Sequence, residues 1–408
     1  SVQILNIKSS KTMINKEVKF CIKCVESTER FLGSVTYEDR QGKNQQRTMF
    51  DENQTCSACL YYEYKKTIDW KDREKELIEL LNQYKKKDGS YDVLIPGSGG
   101  KDSIFVASLL KKKYGMNPLT CTWAPHMYTE VGWKNYINWV DSGYDNYFFK
   151  PNGKIHRILT KLSFKNLLHP FQPFAQGQSI LPAKVAYEKN IKLVIYGDSY
   201  AERGTGGNLH TFNNKYVNHS QITYRNEKEL YYGGCSIEEL EKYGVYKKDL
   251  IPYIPMKEQA FLESGIKVLQ LPYFVNYNPQ TNFYYAKENS NFEVNPYGRS
   301  EGTYTKYASL DDKIDGLHFY TWFIKTGRGR ATDDAALEIR NNIITRDEGV
   351  ALVKKYDGEF PKLFFNEILE YLDMSKDEFF ETIDKFRPNH LWGKNGKNWE
   401  LKYAVWKE

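Results

Sequence analysis

The feature that most restricts this chain is the run Pro96-Gly97-Ser98-Gly99-Gly100-Lys101-Asp102-Ser103, which sits between a short apolar stretch and a helical one. Tyr91 to Ile95 reads as a buried strand, and Ile104 to Tyr114 as a helix ended by Gly115. A glycine turn there lets the backbone approach an anion, while its N–H groups and the dipole of the following helix face that anion. Phosphate is the expected ligand. The run is not a Walker A loop, because its glycines are adjacent and Asp follows Lys where that motif requires Ser or Thr.

Strand, turn and helix open an α/β unit. Further strands are expected at Pro118 to Trp123, Tyr147 to Phe149 and Leu193 to Tyr196, with helices between them. The fold class is therefore α/β, a mostly parallel sheet covered on both faces. Ahead of it, Asp69 to Lys87 reads as an amphipathic linker helix carrying Trp70, Leu77, Ile78, Leu80 and Leu81. Residues 1 to about 20 read as a leading arm or strand, and the polar stretch Gln41 to Arg47 as a hairpin tip. Past Pro252 the pattern loosens, and capping boxes at Thr345 to Glu348 and Ser375 to Glu378 announce C-terminal helices. The expected organisation is an arm and cysteine module over 1–68, a linker helix over 69–88, a nucleotide-binding domain over 89–260, and a mainly helical extension over 261–408 for substrate and partner.

Four of the six cysteines form two C-x-x-C pairs, Cys21 with Cys24 and Cys56 with Cys59. Two such knuckles supply four thiolates that surround one zinc ion tetrahedrally, a closed site that stabilises fold rather than doing chemistry. Buried or redox-active thiols are the alternative. A net charge of +6 over 408 residues, not gathered into one basic run, argues weakly for nucleic acid and fits small anions equally well. No stretch has the apolar length of a membrane span and no signal peptide is evident, so a cytoplasmic protein that binds neither membrane nor nucleic acid is expected.

Ser-Gly-Gly-Lys-Asp-Ser resembles the PP-loop of ATP pyrophosphatases, which split ATP between the α and β phosphates. A departing pyrophosphate needs N–H donors, the hydroxyls of Ser98 and Ser103, and a cation such as Lys101, while Asp102 is placed to hold magnesium. Ser98, Gly99, Gly100, Lys101, Asp102 and Ser103 are the expected ATP-binding residues. Thr122, near the end of the second strand where relatives place adenine, and Gly197, at the end of a later strand, join them. Asp198 beside Gly197 is either catalytic, with Lys101 and Asp102, or a helix N-cap.

Over most of the chain the sequence is similar to the N-acetyl sugar amidotransferase family of bacterial surface-polysaccharide and flagellar-glycan synthesis. The matching pieces are K-F-C-x-K-C, C-S-A-C, I-D-W, S-G-G-K-D-S, E-G-T-Y-T-K-Y-A-S-L-D-D-K, I-K-T-G-R-G-R-A-T-D-D-A and I-R-N-N-I-I-T-R-D-E. The resemblance implies ATP-dependent conversion of an acetamido group to acetamidino. The substrate would be a nucleotide-linked sugar or a nine-carbon acid such as pseudaminic or legionaminic acid. It also implies a separate glutaminase subunit supplying ammonia, with a barrel of the histidine-biosynthesis type as a conduit, since the chain carries no glutaminase signature.

Lys325, Arg328 and Arg330 are candidates to grip a carboxylate or phosphate of the substrate, or else form a solvated basic loop. Zinc-containing tRNA thiolation enzymes begin with the same order of elements. They carry catalytic cysteines in the nucleotide domain, whereas only Cys121 and Cys235 remain here, and both read as packed small hydrophobes. His126, Glu130 and Glu202 are possible acid–base groups that spacing alone does not separate, and His126 reads rather as a satisfied structural histidine.

Overall fold

The computed structural model describes residues 18–29, 48–198, 200–203, 213–396 and 398–408. The arm expected before residue 18 and the hairpin tip expected at Gln41 to Arg47 lie outside them.

Helices α1 (Ser57–Lys65) and α2 (Trp70–Tyr84) lead into the sheet. Asp69 starts α2 by accepting the N–H groups of Lys71 and Asp72. The α/β unit then runs β1 (Val93–Pro96), α3 (Lys101–Ser108), β2 (Pro118–Trp123), α4 (Glu130–Asp141), β3 (Asp145–Phe149), α5 (Gly153–Leu167), α6 (Gln172–Glu188), β4 (Leu193–Tyr196) and β5 (Lys267–Gln270). The expected helix after the glycine turn is split: α3 stops at Ser108 and a π-helical turn, Leu109–Lys113, carries the chain to Gly115.

All five strands are parallel, in the order β3-β2-β1-β4-β5. Successive residues of a strand face opposite sides. Leu94, Leu119 and Val194 therefore meet Leu159, Leu162, Leu181 and Val185 of α5 and α6, while Val93, Ile95, Leu193 and Ile195 meet Ile104, Val106, Trp139 and Phe283 on the other face. Strands buried on both faces read as unbroken apolar runs, which is why the sequence shows them clearly.

The boundary expected at 260 cuts this unit. The edge strand β5 pairs with β4 beyond it, from Leu193 opposite Lys267 to Tyr196 opposite Gln270. Phe283 belongs to α7 (Pro279–Ser290), which covers one face of the sheet. The extension continues through α8 (Asp315–Thr326), α9 (Arg330–Arg340), α10 (Arg346–Tyr356), α11 (Phe365–Leu372), α12 (Lys376–Lys385) and a hairpin of β6 (Trp392–Asn395) and β7 (Asn398–Leu401). Thr345 and Glu348 form a reciprocal capping box. At Ser375 only the hydroxyl caps, because Glu378 pairs with Lys165 at 2.7 Å. No helix among the described residues is long and apolar enough to cross a membrane.

Candidate nucleotide site and metal centre

Strand order reverses between β1 and β4, whose connections leave to opposite sides, and the carboxyl ends of two such strands open a crevice for ligand. Residues 97–100 leave β1 into that crevice and Gly197 with Asp198 leave β4 into it. Gly99 has φ +85°, and a Cβ there would meet the Tyr136 backbone at 2.7 Å. At Gly197 a Cβ would lie 2.9 Å from the Asp102 carbonyl oxygen and 2.6 Å from Val106, so glycine there lets α3 sit close against β4.

The loop's shape is held by side chains. The Thr122 hydroxyl donates to the Gly97 carbonyl at 2.7 Å and accepts from Asn146 at 3.1 Å, and it is buried. Thr122 thus braces the loop. The Ser103 hydroxyl donates to the Gly100 carbonyl at 2.9 Å, within the first turn of α3. Lys101 Nζ lies 2.6 Å from Asp102 Oδ2, and Asp102 Oδ1 accepts from Asn282 at 3.0 Å and from the Tyr277 hydroxyl at 3.2 Å. Asp102 is therefore tied to α7 and the turn before it. Burial pushes the Asp311 carboxyl above the ordinary range, with nearby Ser98 acting against that shift.

Lys101 opens into a small pocket that is otherwise lined by the chain after residue 276, including Tyr277, Tyr307, Arg330, Asp334 and Glu338. Arg330 Nε donates to Asp334 at 2.8 Å. Glu338, whose pKa is raised by burial, accepts the Tyr304 hydroxyl at 2.7 Å. Burial raises the Tyr307 hydroxyl's pKa, and nearby Glu338, Asp334 and Asp102 add to the shift.

The three expected anion-gripping residues separate. Arg330 alone lines the pocket. Arg328, 2% exposed, is held between Glu26 at 2.8 Å and Asp333, so it is a buried clamp rather than a surface grip. Lys325 donates to the Leu167 carbonyl at 3.1 Å. Glu202 is likewise no poised base: Tyr62 at 2.5 Å and Lys65 at 2.8 Å donate to it from α1, and burial raises its pKa. Tyr277, Asn282 and Tyr307 were not signalled. The Asn278-Pro279 start of α7 could have signalled it, since Asn278 caps Gln280 and Thr281 and Pro is favoured at the first helical position.

The four paired cysteines converge. Sγ of Cys21 is 3.8 Å from that of Cys59, Cys24 is 3.7 Å from Cys56, and all four ligand atoms lie within 4.8 Å of one another. A metal–sulfur bond of about 2.3 Å in tetrahedral geometry sets sulfurs about 3.8 Å apart, so the four residues fit one metal ion. Arg340 reaches Cys24 Sγ at 3.9 Å, and Arg346 donates to the carbonyls of Cys21 and Cys24 at 3.3 and 3.2 Å. Cys121 and Cys235 lie apart in the sheet's core, and burial pushes the Cys121 thiol up. Neither is a poised nucleophile.

The half of the pocket built on residues 305–338 falls inside a recognised region. Residues 301–405 match the family described as LPS biosynthesis protein WbpG-like, C-terminal domain. A 64-residue stretch is 39% identical to the uncharacterized protein MJ1599 of Methanocaldococcus jannaschii, covering 16% of this chain and 23% of that relative. Among solved structures, the U34-tRNA thiolase NcsA of Methanococcus maripaludis with its [4Fe-4S] cluster aligns at 13% identity and TM-score 0.29, over 84% of this chain and 89% of that one. The NMN synthetase of Francisella tularensis aligns at 14% and 0.27, over 56% and 89%. The NH3-dependent NAD synthetase of Campylobacter jejuni aligns at 15% and 0.28, over 55% and 94%. Likeness at that level leaves the chemistry to the site's own residues. Within the WbpG-like region, α9 carries Arg330, Asp334 and Glu338 toward the pocket, and its Ala335, Ala336, Ile339 and Arg340 lie against the cysteine module.

Proposed function

We propose that the chain is an ATP-dependent amidotransferase of bacterial surface-glycan synthesis, converting the acetamido group of a sugar to acetamidino. The observation that supports it is the shared pocket, where Lys101 of the phosphate loop faces Arg330 and Tyr307 of the WbpG-like region. The loop binds the polyphosphate through its N–H groups, the Ser98 and Ser103 hydroxyls and Lys101. The amide oxygen attacks the α-phosphorus, pyrophosphate leaves, and the carbonyl carbon becomes an imidate ester of AMP. Ammonia then displaces AMP. Lys101 offsets the charge developing on pyrophosphate, and Arg330 is the residue placed to take an acidic group of the sugar. Magnesium, when bound, neutralises phosphate charge, and Asp102 and Asp198 are the carboxylates proposed for it. Ammonia would come from a glutaminase subunit, through a barrel of the histidine-biosynthesis type.

The test is incubation with ATP, magnesium, ammonium and a panel of acetamido sugars, free and nucleotide-linked. The expected products are AMP, pyrophosphate and a sugar in which NH replaces the amide oxygen. Release of ADP, or AMP formation with tRNA and not with any sugar, overturns the reading.

A further inference from the structure

Three carboxylates of α9 line the pocket beside Lys101, those of Asp333, Asp334 and Glu338, and they differ in what holds them. Asp333 Oδ1 accepts from the buried Arg328 guanidinium. Asp334 accepts Arg330 Nε at 2.8 Å and the Thr303 hydroxyl at 2.6 Å. Glu338 is bonded by neutral donors, the Tyr304 hydroxyl at 2.7 Å on Oε2 and Gln280 Nε2 at 3.4 Å on Oε1. Among the described residues no cation pairs with it. An ionised carboxyl offers about four lone-pair sites, so two donors, one of them long, leave Oε1 able to accept a further N–H.

A carboxylate clamped by a guanidinium keeps its charge and takes up a proton poorly, whereas one that is desolvated and bonded only by neutral groups is the more basic. Burial raises the pKa of Glu338 and Asp334 adds to the rise, while the Tyr304 and Gln280 bonds act against it. Glu338 shares the pocket with both cations of the proposed reaction, Lys101 of the phosphate loop and Arg330, and with the Tyr307 hydroxyl. Of the acid–base groups that spacing offered, His126 is sealed against Asp312 at 2.7 Å, Glu202 is buried against Lys65 at 2.8 Å, and Glu130 is exposed at the start of α4. None of them lines this pocket.

We infer that Glu338 is the general base of nitrogen transfer, its Oε1 taking a proton from ammonia once that nitrogen has added to the activated amide. This rests on the amide-activation reading. The ammonia lone pair forms the C–N bond to the imidate carbon, and the C=N π pair returns to the sugar nitrogen. The new nitrogen is then an ammonium group, which would leave again more readily than AMP. Glu338 removes one of its protons, so the C–O bond breaks instead. Its electron pair departs on AMP while the freed nitrogen lone pair closes the amidinium, and the proton passes from Glu338 to solvent. Tyr304 and Gln280 are positioning residues that hold the carboxylate.

Two half-reactions separate the inference from the reading beneath it. Sugar-dependent exchange of labelled pyrophosphate into ATP, without ammonium, reports activation alone, and its absence in the unaltered protein with every sugar sinks the reading. Glu338→Gln is expected to keep that exchange while amidation by ammonia falls about 100-fold or more. With hydroxylamine as the nucleophile the loss should be much smaller, because its adduct nitrogen is more acidic and gives its proton to water. Equal losses with the two nucleophiles, equal loss of exchange and amidation, or unaltered amidation overturns the base assignment. Tyr304→Phe tests the same assignment with the carboxylate left in place. Amidation by the unaltered protein, plotted against free ammonia, should rise with pH as Glu338 ionises. Removing the Tyr304 donor should move that rise to higher pH, since the hydrogen bond favours the ionised form. A rise that stays where it was, or none in the unaltered protein, overturns the inference.

Discussion

At the scale of single residues, two arginines in one short run have unlike jobs. Arg328 lies between Glu26 and Asp333 with 2% of its surface exposed, whereas Arg330 faces the pocket beside Lys101. Arg328→Ala leaves two buried carboxylates without their cation and should cost about 3–5 kcal/mol of stability, read in chemical denaturation. Arg330→Ala should cost less stability than that, because Asp334 keeps the Thr303 hydroxyl at 2.6 Å, and should raise the KM for an acidic sugar. The sequence could not divide them, because I-K-T-G-R-G-R gives both the same local pattern, and the partner that buries Arg328 lies some three hundred positions away in the cysteine module. A third residue adds a pH signature. Asp357 accepts from Gly329 N–H at 2.8 Å and from the Thr332 hydroxyl at 2.5 Å at the start of α9, and burial pushes its carboxyl up to about 6. Its folded pKa is above its unfolded one, so its favourable contribution is complete below about pH 4 and is lost as pH rises through 6. Asp357→Asn removes that titration. The stability gap between the original protein and the variant should therefore shrink from pH 4.5 to pH 7 by about 1 kcal/mol, the linkage figure of about 2 kcal/mol being halved for part exposure.

Among the elements, α9 links the four-cysteine cluster to the pocket beside Lys101. One face presents Arg330, Asp334 and Glu338, spaced four apart, to the pocket, and Ala335, Ala336 and Arg340 lie against the cysteines. If zinc holds the module, then stripping it with a chelator, or replacing Cys56 with Ser, should release one equivalent of metal and lower the melting temperature. ATP affinity should fall with it, because the support of α9 is lost before the phosphate loop is touched. Unchanged ATP binding in a metal-free, folded protein would uncouple the two. The C-x-x-C pairs were legible because ligand spacing is a local property. The coupling was not, since it depends on which face of a distant helix meets them.

For the whole molecule, the glycine turn after β1 and four of the five parallel strands could be read directly: β1, β2 and β4 are short runs buried on both faces, and β3 was legible as Tyr147 to Phe149, two residues short of its start at Asp145. The fifth strand could not. Lys267–Gln270 is only four residues long, an edge strand with charge at one end, and it follows a stretch of short turns from Thr223 to Tyr253 that hides the βαβ rhythm. Its consequence is testable by where the chain is cut. A fragment of residues 89–260 lacks β5 and also α7, so it exposes Leu193, Ile195, Ile104 and Val106 where Leu269, Phe274 and Phe283 had covered them. It also loses the Asn282 and Tyr277 contacts that tie down Asp102. Burying such side chains contributes about 1.5–3 kcal/mol each, against a total stability of about 5–15 kcal/mol, so the fragment should show no cooperative thermal transition and no ATP binding. Extending the cut to residue 292 restores the strand, the helix and both contacts to Asp102, and should recover a cooperative transition in calorimetry. The pocket's Tyr307, Arg330 and Glu338 would still be missing, so nucleotide binding should stay weaker than in the full chain. A cooperative, ATP-binding 89–260 fragment would instead place the unit's limit at 260 and remove β5 and α7 from the fold's essential core.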